Sequence, residues 1–436
     1  MRAGAGIAAS IKGRRGTFFS GDILATCAGA GPSITLTTAQ PNAVAPIHKW
    51  YQIPESYSSE LVLGILSRFG IKRGQTVLDP FGGAGTTAVA AQLAGINAVS
   101  IEVNPFLSFA ARVKTNRDYN PKALRHTLQR VLARATCVKP IQVQPPLMPR
   151  LDKWMSPNVV SKVLTLKHAV TASTASGSGR DFFRLALAAV LRPVGNLKLT
   201  AHAFGSVFIK HDAPVLQLFE RKATQMIEDV EALGDPRGRR GNVAIITGDA
   251  RDASSYVGDL LPAHLAISSP PYLNNLDYTM QTRLELFFLD FVRDLKDVRT
   301  LRKQMMICDA KAMYRDIQDM QFVAGFESIN KVARAIEKKH AGKRWGWDYP
   351  FMVRQYFGGL YRVLEVAKPH LSSGARFVIV IGESAHSGIK APVPDIVAEL
   401  GDALGYIVEE IVPHRERRSS SHSFSLREAS VILRKK

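Results

Sequence analysis

The chain has 436 residues, 46% of them hydrophobic and 22% charged, with three cysteines and a formal net charge of +20. About three times the length of an average domain, it is long enough for two or three packed units and too apolar to be disordered throughout. No apolar run approaches the roughly 20 residues that cross a bilayer, and Cys27, Cys137 and Cys308 form no CxxC pair, which argues against a disulfide scaffold or a structural zinc site.

In chain order, residues 1–45 are rich in Gly, Ala, Ser and Thr, hold Asp22 as their only acid, and read as a tail outside the folded body. No secretory leader is visible, so the chain reads as cytoplasmic. A segment from His48 to Tyr57 leads into a predicted helix at 59–69. A short β-branched and aliphatic strand at 76–78 then runs into Asp79-Pro80-Phe81-Gly82-Gly83-Ala84-Gly85-Thr86-Thr87. A helix at 86–93, closed by Gly95, and a second strand at 97–101, ending at Glu102, complete a βαβ unit. The Gly-rich turn lets a ligand approach the backbone closely. Glu102 stands about 20 residues beyond it, where such units place an acceptor for ribose hydroxyls. GxGxxG is absent and no GK[ST] follows. The Asp79 carboxylate would repel a pyrophosphate and suits a cationic, amine-bearing ligand better.

Helical periodicity appears next at 123–135, 181–191 and 215–233, with a Ser/Thr/Gly-rich run at 171–179 that reads as a flexible loop. Residues 111–240 hold 22 basic against 9 acidic side chains, an excess of +13 suited to phosphate contacts, and end in the basic run 237–241. A strand at 244–247 ends in Gly248-Asp249-Ala250. A buried strand stub at 265–267 then enters Ser268-Ser269-Pro270-Pro271-Tyr272. Two prolines fix the backbone and remove two N–H donors, leaving carbonyls as acceptors. The Ser269 oxygen and a proline carbonyl can take both hydrogens of an aromatic NH₂, and Tyr272 offers a face for a base to stack on. Residues 273–350 form a second insertion, in which 338–347 mix cations with Trp345 and Trp347. Strands at 375–382 and 427–435 follow, and residues 411–436 add 7 basic against 2 acidic side chains.

The Asp79 and Ser269 strings resemble motif I and motif IV of the S-adenosylmethionine-dependent amino-methyltransferases, which methylate exocyclic nitrogens of bases. The resemblance covers about residues 46–112 and 242–436. It implies an α/β, Rossmann-like class I methyltransferase fold with a seven-stranded, mostly parallel sheet. One or both insertions, the basic, mostly helical 113–241 and 273–350, would read the DNA target. S-adenosyl-L-methionine would be held by Asp79, Pro80, Phe81, Gly83, Gly85, Thr86, Thr87, Glu102, Asn104, Asp249 and Ala250. Ser269, Pro270, Pro271 and Tyr272 would be the catalytic turn, with no metal. The implied partners are double-stranded DNA with its target base flipped out and a cognate restriction endonuclease, with no membrane.

Ser at the head of the turn is the commoner choice among cytosine-N4 enzymes of this family, whereas Asp mostly marks adenine-N6 enzymes. A hydroxyl can accept from the NH₂ and donate elsewhere, while a carboxylate only accepts. Cytosine N4 is therefore the expected target. Adenine N6, an RNA base amine and a non-catalytic DNA-binding role stay open. A carbon-5 cytosine enzyme would need a nucleophilic cysteine, and no Pro-Cys dipeptide occurs.

Overall fold

The computed structural model describes residues 36–137, 144–197, 208–234, 240–310, 314–341, 348–418 and 424–436. Nine strands occur among them: β1 Thr76–Asp79, β2 Asn97–Glu102, β3 Val243–Thr247, β4 Ala263–Ser268, β5 Leu371–Gly382, β6 Ser384–His386, β7 Ile389–Ala391, β8 Tyr406–Arg418 and β9 Ser425–Lys435. Seven form one sheet in the order β3-β2-β1-β4-β5-β9-β8, and β6 and β7 make a separate hairpin. β1, β2, β3, β4 and β5 pair in parallel, and β9 alone runs antiparallel, between β5 and β8. This is the seven-stranded, Rossmann-like class I methyltransferase arrangement expected. Strand order reverses at β1, which lies between β2 and β4, so the crevice at a topological switch point opens beyond the tips of β1 and β4.

The cofactor-half helices form for local reasons. Ser58 caps α1 (Ser59–Arg68) by accepting from the Leu61 amide at 3.1 Å. Gly85 opens α2 (Thr86–Leu93) at φ +85°, and a Cβ there would meet the Ala111 Cβ at 2.9 Å, so both turn and helix contact require glycine. Asn104 caps α3 (Pro105–Thr115), its side chain accepting from the amides of Phe106 and Leu107.

The basic insertion folds into α4 (Pro121–Cys137), α5 (Leu151–Trp154), α6 (Pro157–Ser173), α7 (Ser178–Val194) and α8 (Val215–Leu233). Their apolar faces close a core around Phe182, Phe183 and Phe219, with Trp50 and Phe106 drawn in from the cofactor half. The second insertion divides. Its first part, α9 (Tyr278–Gln281), α10 (Arg283–Phe288) and α11 (Leu295–Gln304), contributes Leu284, Phe287 and Phe288 to that same helical core. Its later part, with α12 (Glu327–His340), packs through Ile329 and Ile336 onto α13 (Tyr349–Ala367) and one face of the sheet. Finally, α14 (Val393–Ala403) leads into β8.

Two expectations need correction. The folded body starts before residue 46: Leu36 is buried in the core, Thr37 donates to Glu428 at 2.7 Å, and Asn42 bonds the Tyr57 carbonyl at 2.9 Å. Residues 1–35 lie outside the described residues. The run at 171–179 is mostly helical, because α6 continues to Ser173 and α7 begins at Ser178. Arg180 closes the short link by donating to the carbonyls of Thr171 and Thr174. The basic run 237–241 falls largely, and both Trp345 and Trp347 wholly, outside the described residues. Among the described residues no helix is long and apolar enough to cross a membrane.

Candidate active site

A cavity of about 230 Å³ opens at the switch point between the tips of β1 and β4. Of the residues expected from sequence, Asp79, Pro80, Phe81, Gly83, Thr86, Glu102, Asn104, Asp249, Ala250, Ser269, Pro270, Pro271 and Tyr272 line it, whereas Gly85 and Thr87 stand behind the wall. Thus the Asp79 loop and the Ser269 turn, nearly 200 residues apart, share one cavity.

Asp79 is buried and its carboxylate is occupied within the protein. Oδ1 accepts from the Phe81 amide at 3.0 Å and the Ser268 hydroxyl at 2.6 Å; Oδ2 accepts from Thr87 at 2.6 Å and the Tyr57 phenol at 3.1 Å. Burial lifts its pKa, against the pull of those bonds. The sequence suggests a carboxylate facing a ligand amine; the structure shows a carboxylate at the cavity wall whose four bonds from the protein shape the turn.

Glu102 differs. At the tip of β2 its two oxygens accept from the amides of Asn104 at 2.7 Å and Gly83 at 2.8 Å, with the cavity alongside. Desolvation raises its carboxyl to about 7, partly offset by those two amides. Asp249 is gripped by Arg251, whose Nε and Nη2 reach its carboxylate at 3.0 and 2.7 Å. Arg251, itself buried, extends to Asp319 and to the Gln304 carbonyl at 2.9 Å. This wires the Gly-Asp-Ala turn to the second insertion.

Facing these, Ser269 and Pro270 leave the sheet after β4 and bring Tyr272 against the last strands. The Tyr272 hydroxyl donates to Glu428 at 2.6 Å. The Pro271 carbonyl accepts from the Tyr356 hydroxyl at 2.9 Å, which ties the turn to α13. Beyond the turn, Asn275 adopts φ +62°, its amide donating to the Cys308 carbonyl at 3.0 Å and its side chain accepting from Ala310 at 2.8 Å. The second insertion therefore supplies one cavity wall.

Several contributors are invisible as motifs. Lys114, buried on α3, donates to the carbonyls of Tyr51 and Ala84, pinning the leading segment to the Gly-rich loop. Its one sequence signal is a cation within the apolar stripe of Phe106, Phe109, Ala110 and Val113. Glu55 lines the cavity, and its buried Oε2 has no hydrogen-bond partner among the described residues. Arg251 and Glu428 carry no sequence signal at all.

The sheet order and the cavity at its switch point define a Rossmann-like class I methyltransferase fold. Within that class, residues 39–111 match the family model for DNA methylases of the N6 and N4 type. The chain is 22% identical to the Type II methyltransferase M.BsoBI of Geobacillus stearothermophilus, over 92% of this chain and 86% of that protein. It is 24% identical to the Type II methyltransferase M.AvaI of Nostoc sp., over 86% and 82% respectively. Among solved structures it aligns with the rRNA methyltransferase aviRa from Streptomyces viridochromogenes at 10% identity and a TM-score of 0.30, over 91% of this chain and 92% of that one.

The family model and the Type II relatives support an amino-methyltransferase, with S-adenosyl-L-methionine as methyl donor. The cavity suits such a cation. Its lining is rich in acceptors, with Glu102 at the tip of β2 and the unpartnered Glu55 oxygen among them.

Proposed function

We propose that this chain is a DNA methyltransferase that modifies the exocyclic N4 amine of cytosine. The carrying observation is the Ser269-Pro270-Pro271-Tyr272 turn placed in one cavity with the Asp79 and Glu102 loops. S-adenosyl-L-methionine, when bound, supplies an electrophilic methyl group. Glu102 would accept from its ribose hydroxyls, Asp249 and Ala250 would border its adenine, and Pro80, Phe81 and Gly83 would present the backbone of the loop.

An aromatic amine is a weak nucleophile because its lone pair is delocalised into the ring. Two acceptors, the Ser269 hydroxyl oxygen and the Pro270 carbonyl, would each take one amine hydrogen. That draws the nitrogen towards tetrahedral geometry and aims its lone pair. The positively charged product nitrogen is strongly acidic and sheds its proton without a dedicated strong base. Tyr272 would stack on the base, a contact worth about 1–3 kcal/mol, which offsets the few kcal/mol needed to flip it from the duplex.

The test is nucleoside mass spectrometry of unmethylated DNA treated with the purified protein and labelled cofactor. Label in N4-methylcytosine, lost in Ser269→Ala, is the expected result. Label confined to N6-methyladenine refutes the cytosine assignment, and absence of label from every base refutes methyl transfer to DNA.

A further inference from the structure

Behind the catalytic turn, the three C-terminal sheet strands build a feature that the reaction as described does not use. On β9, Glu428 stands in register with Arg415 of β8 on one side and Gly382 of β5 on the other. Gly382 is bare for a reason: a Cβ there would meet the Tyr272 ring at 3.1 Å, so the ring lies directly on the strand. The β8–β9 register slips between Pro413 and Arg415, an irregularity of the kind that re-aims a side chain. Glu428 is 2% exposed. Its Oε1 takes the Tyr272 hydroxyl at 2.6 Å, while Oε2 takes Thr37 at 2.7 Å and the Nε of Arg415. Burial would raise this carboxyl, but the bonds from Arg415 and Tyr272 prevail and hold it below its ordinary value, so it stays charged. One carboxylate therefore fixes both the tyrosine ring and the arginine.

We propose that Arg415, oriented by Glu428, reads the ring edge of the flipped base and selects cytosine over adenine. The proposal rests on the cytosine-N4 reading above and adds the group that would enforce it. Arg415 lines the same cavity as Ser269, Pro270 and Tyr272. Its Nε is engaged by Glu428, and four of its five N–H donors sit on the terminal fork. With the exocyclic amine held by the turn, cytosine presents two successive acceptors beside it, N3 and then O2. Adenine presents N1 and then a C–H. A rigid fork matches the first pattern, whereas against adenine one buried donor would be left unpaired. A penalty of that kind amounts to about 10- to 100-fold in rate. Lysine, a point charge on a flexible stem, does not reproduce the fork.

The experiment uses the full chain with labelled S-adenosyl-L-methionine and DNA from a methylation-free host, comparing the unmodified protein with Arg415→Met, Arg415→Lys, Glu428→Gln and the Arg415→Lys, Glu428→Gln double variant. The expected result is label in N4-methylcytosine from the unmodified protein. Both Arg415 variants should fall at least about tenfold in kcat/KM for DNA, with cofactor affinity held within about twofold. Glu428→Gln combined with Arg415→Lys should cost less than the sum of the single losses, because the two act as one unit. Arg415→Met leaves Glu428 without its ion-pair partner, so Arg415→Lys is the variant that keeps the test independent of folding. Near-normal turnover in Arg415→Lys overturns the proposal. So does full additivity with Glu428→Gln, or label only in N6-methyladenine from the unmodified protein. No label in any base from the unmodified protein refutes methyl transfer to DNA, and the proposal falls with it.

Discussion

Glu102 is the residue whose chemistry gives the most direct handle on the cavity. Its folded pKa, about 7, lies above the ordinary 4.5 because burial penalises the charge more than the two amides repay it. A raised acid favours the folded state fully below about 4.5 and progressively less as pH rises to 7. Ligand binding has the opposite sign, because accepting two ribose hydroxyls favours the carboxylate over the acid. Cofactor affinity should therefore climb as pH rises through 6 to 7 and level off above, which calorimetry between pH 5.5 and 8.5 can follow. Glu102→Gln should weaken binding about tenfold or more at pH 8 and flatten the profile. An affinity independent of pH in the unmodified protein would show that Glu102 meets no ligand donor.

At the scale of elements, the segment from Ile47 to Tyr57 forms part of the cavity wall yet is held from elsewhere. Asp229, buried on α8, accepts from the Ile47 amide and the Trp50 indole, both at 2.9 Å, and pairs with Lys49 at 2.8 Å. Tyr51 reaches Glu285 of α10 at 2.8 Å, and Arg192 of α7 reaches the same carboxylate at 3.0 Å. The helical insertion is thus a brace for the cofactor side as well as a cationic surface. Asp229→Ala removes the acceptor from three donors and should cost about 3 kcal/mol of stability. It should also weaken cofactor binding severalfold from outside the cavity, checked by thermal unfolding and by cofactor titration. Unchanged affinity with a lowered melting point would confine Asp229 to stability. These contacts also explain what the sequence can and cannot tell. The βαβ unit and the proline turn are local, since strand pattern, glycine turn and cap sit within some 30 residues, and the structure places them nearly where the spacing predicts. Asp229, Arg251 and Glu428 act on partners 179, 68 and 156 residues away. No local pattern marks them, and only the folded chain brings each to its partner. Residues 36–45 deceive in another way: their composition is that of a tail, yet Leu36 and Asn42 are buried.

At the scale of the whole molecule, the question is how much of the cationic excess is available to a polyanion. The structure engages part of the segment's 22 cations internally: Arg125 pairs with Glu231, Lys162 with Asp212 and Lys167 with Asp290. Arg192 and Lys222 are turned inward onto Glu285 and the Lys49 carbonyl. Lys122, Arg134, Arg150 and Lys153 stand exposed on the helical insertion. If all 13 net charges there met phosphates, the log–log dependence of affinity on salt would have a slope of about −12. With Lys167 and Arg192 paired to acids outside the segment, Lys222 turned inward, and only one side of the helices able to face a duplex, a slope nearer −4 to −7 is expected, at roughly 0.9 per phosphate contacted. Anisotropy of a labelled duplex titrated at increasing potassium chloride measures it. Replacing Lys122, Arg134, Arg150 and Lys153 together by Gln should reduce the slope by about 3 and weaken binding to all sequences alike, because phosphate contacts position without reading bases. Cofactor affinity should not move, since none of the four lines the cavity. A slope unaltered by the fourfold change would take the DNA path off these helices and leave the C-terminal strands, with Arg417 against Tyr272 and Arg418 exposed, as the cationic surface that duplex DNA meets.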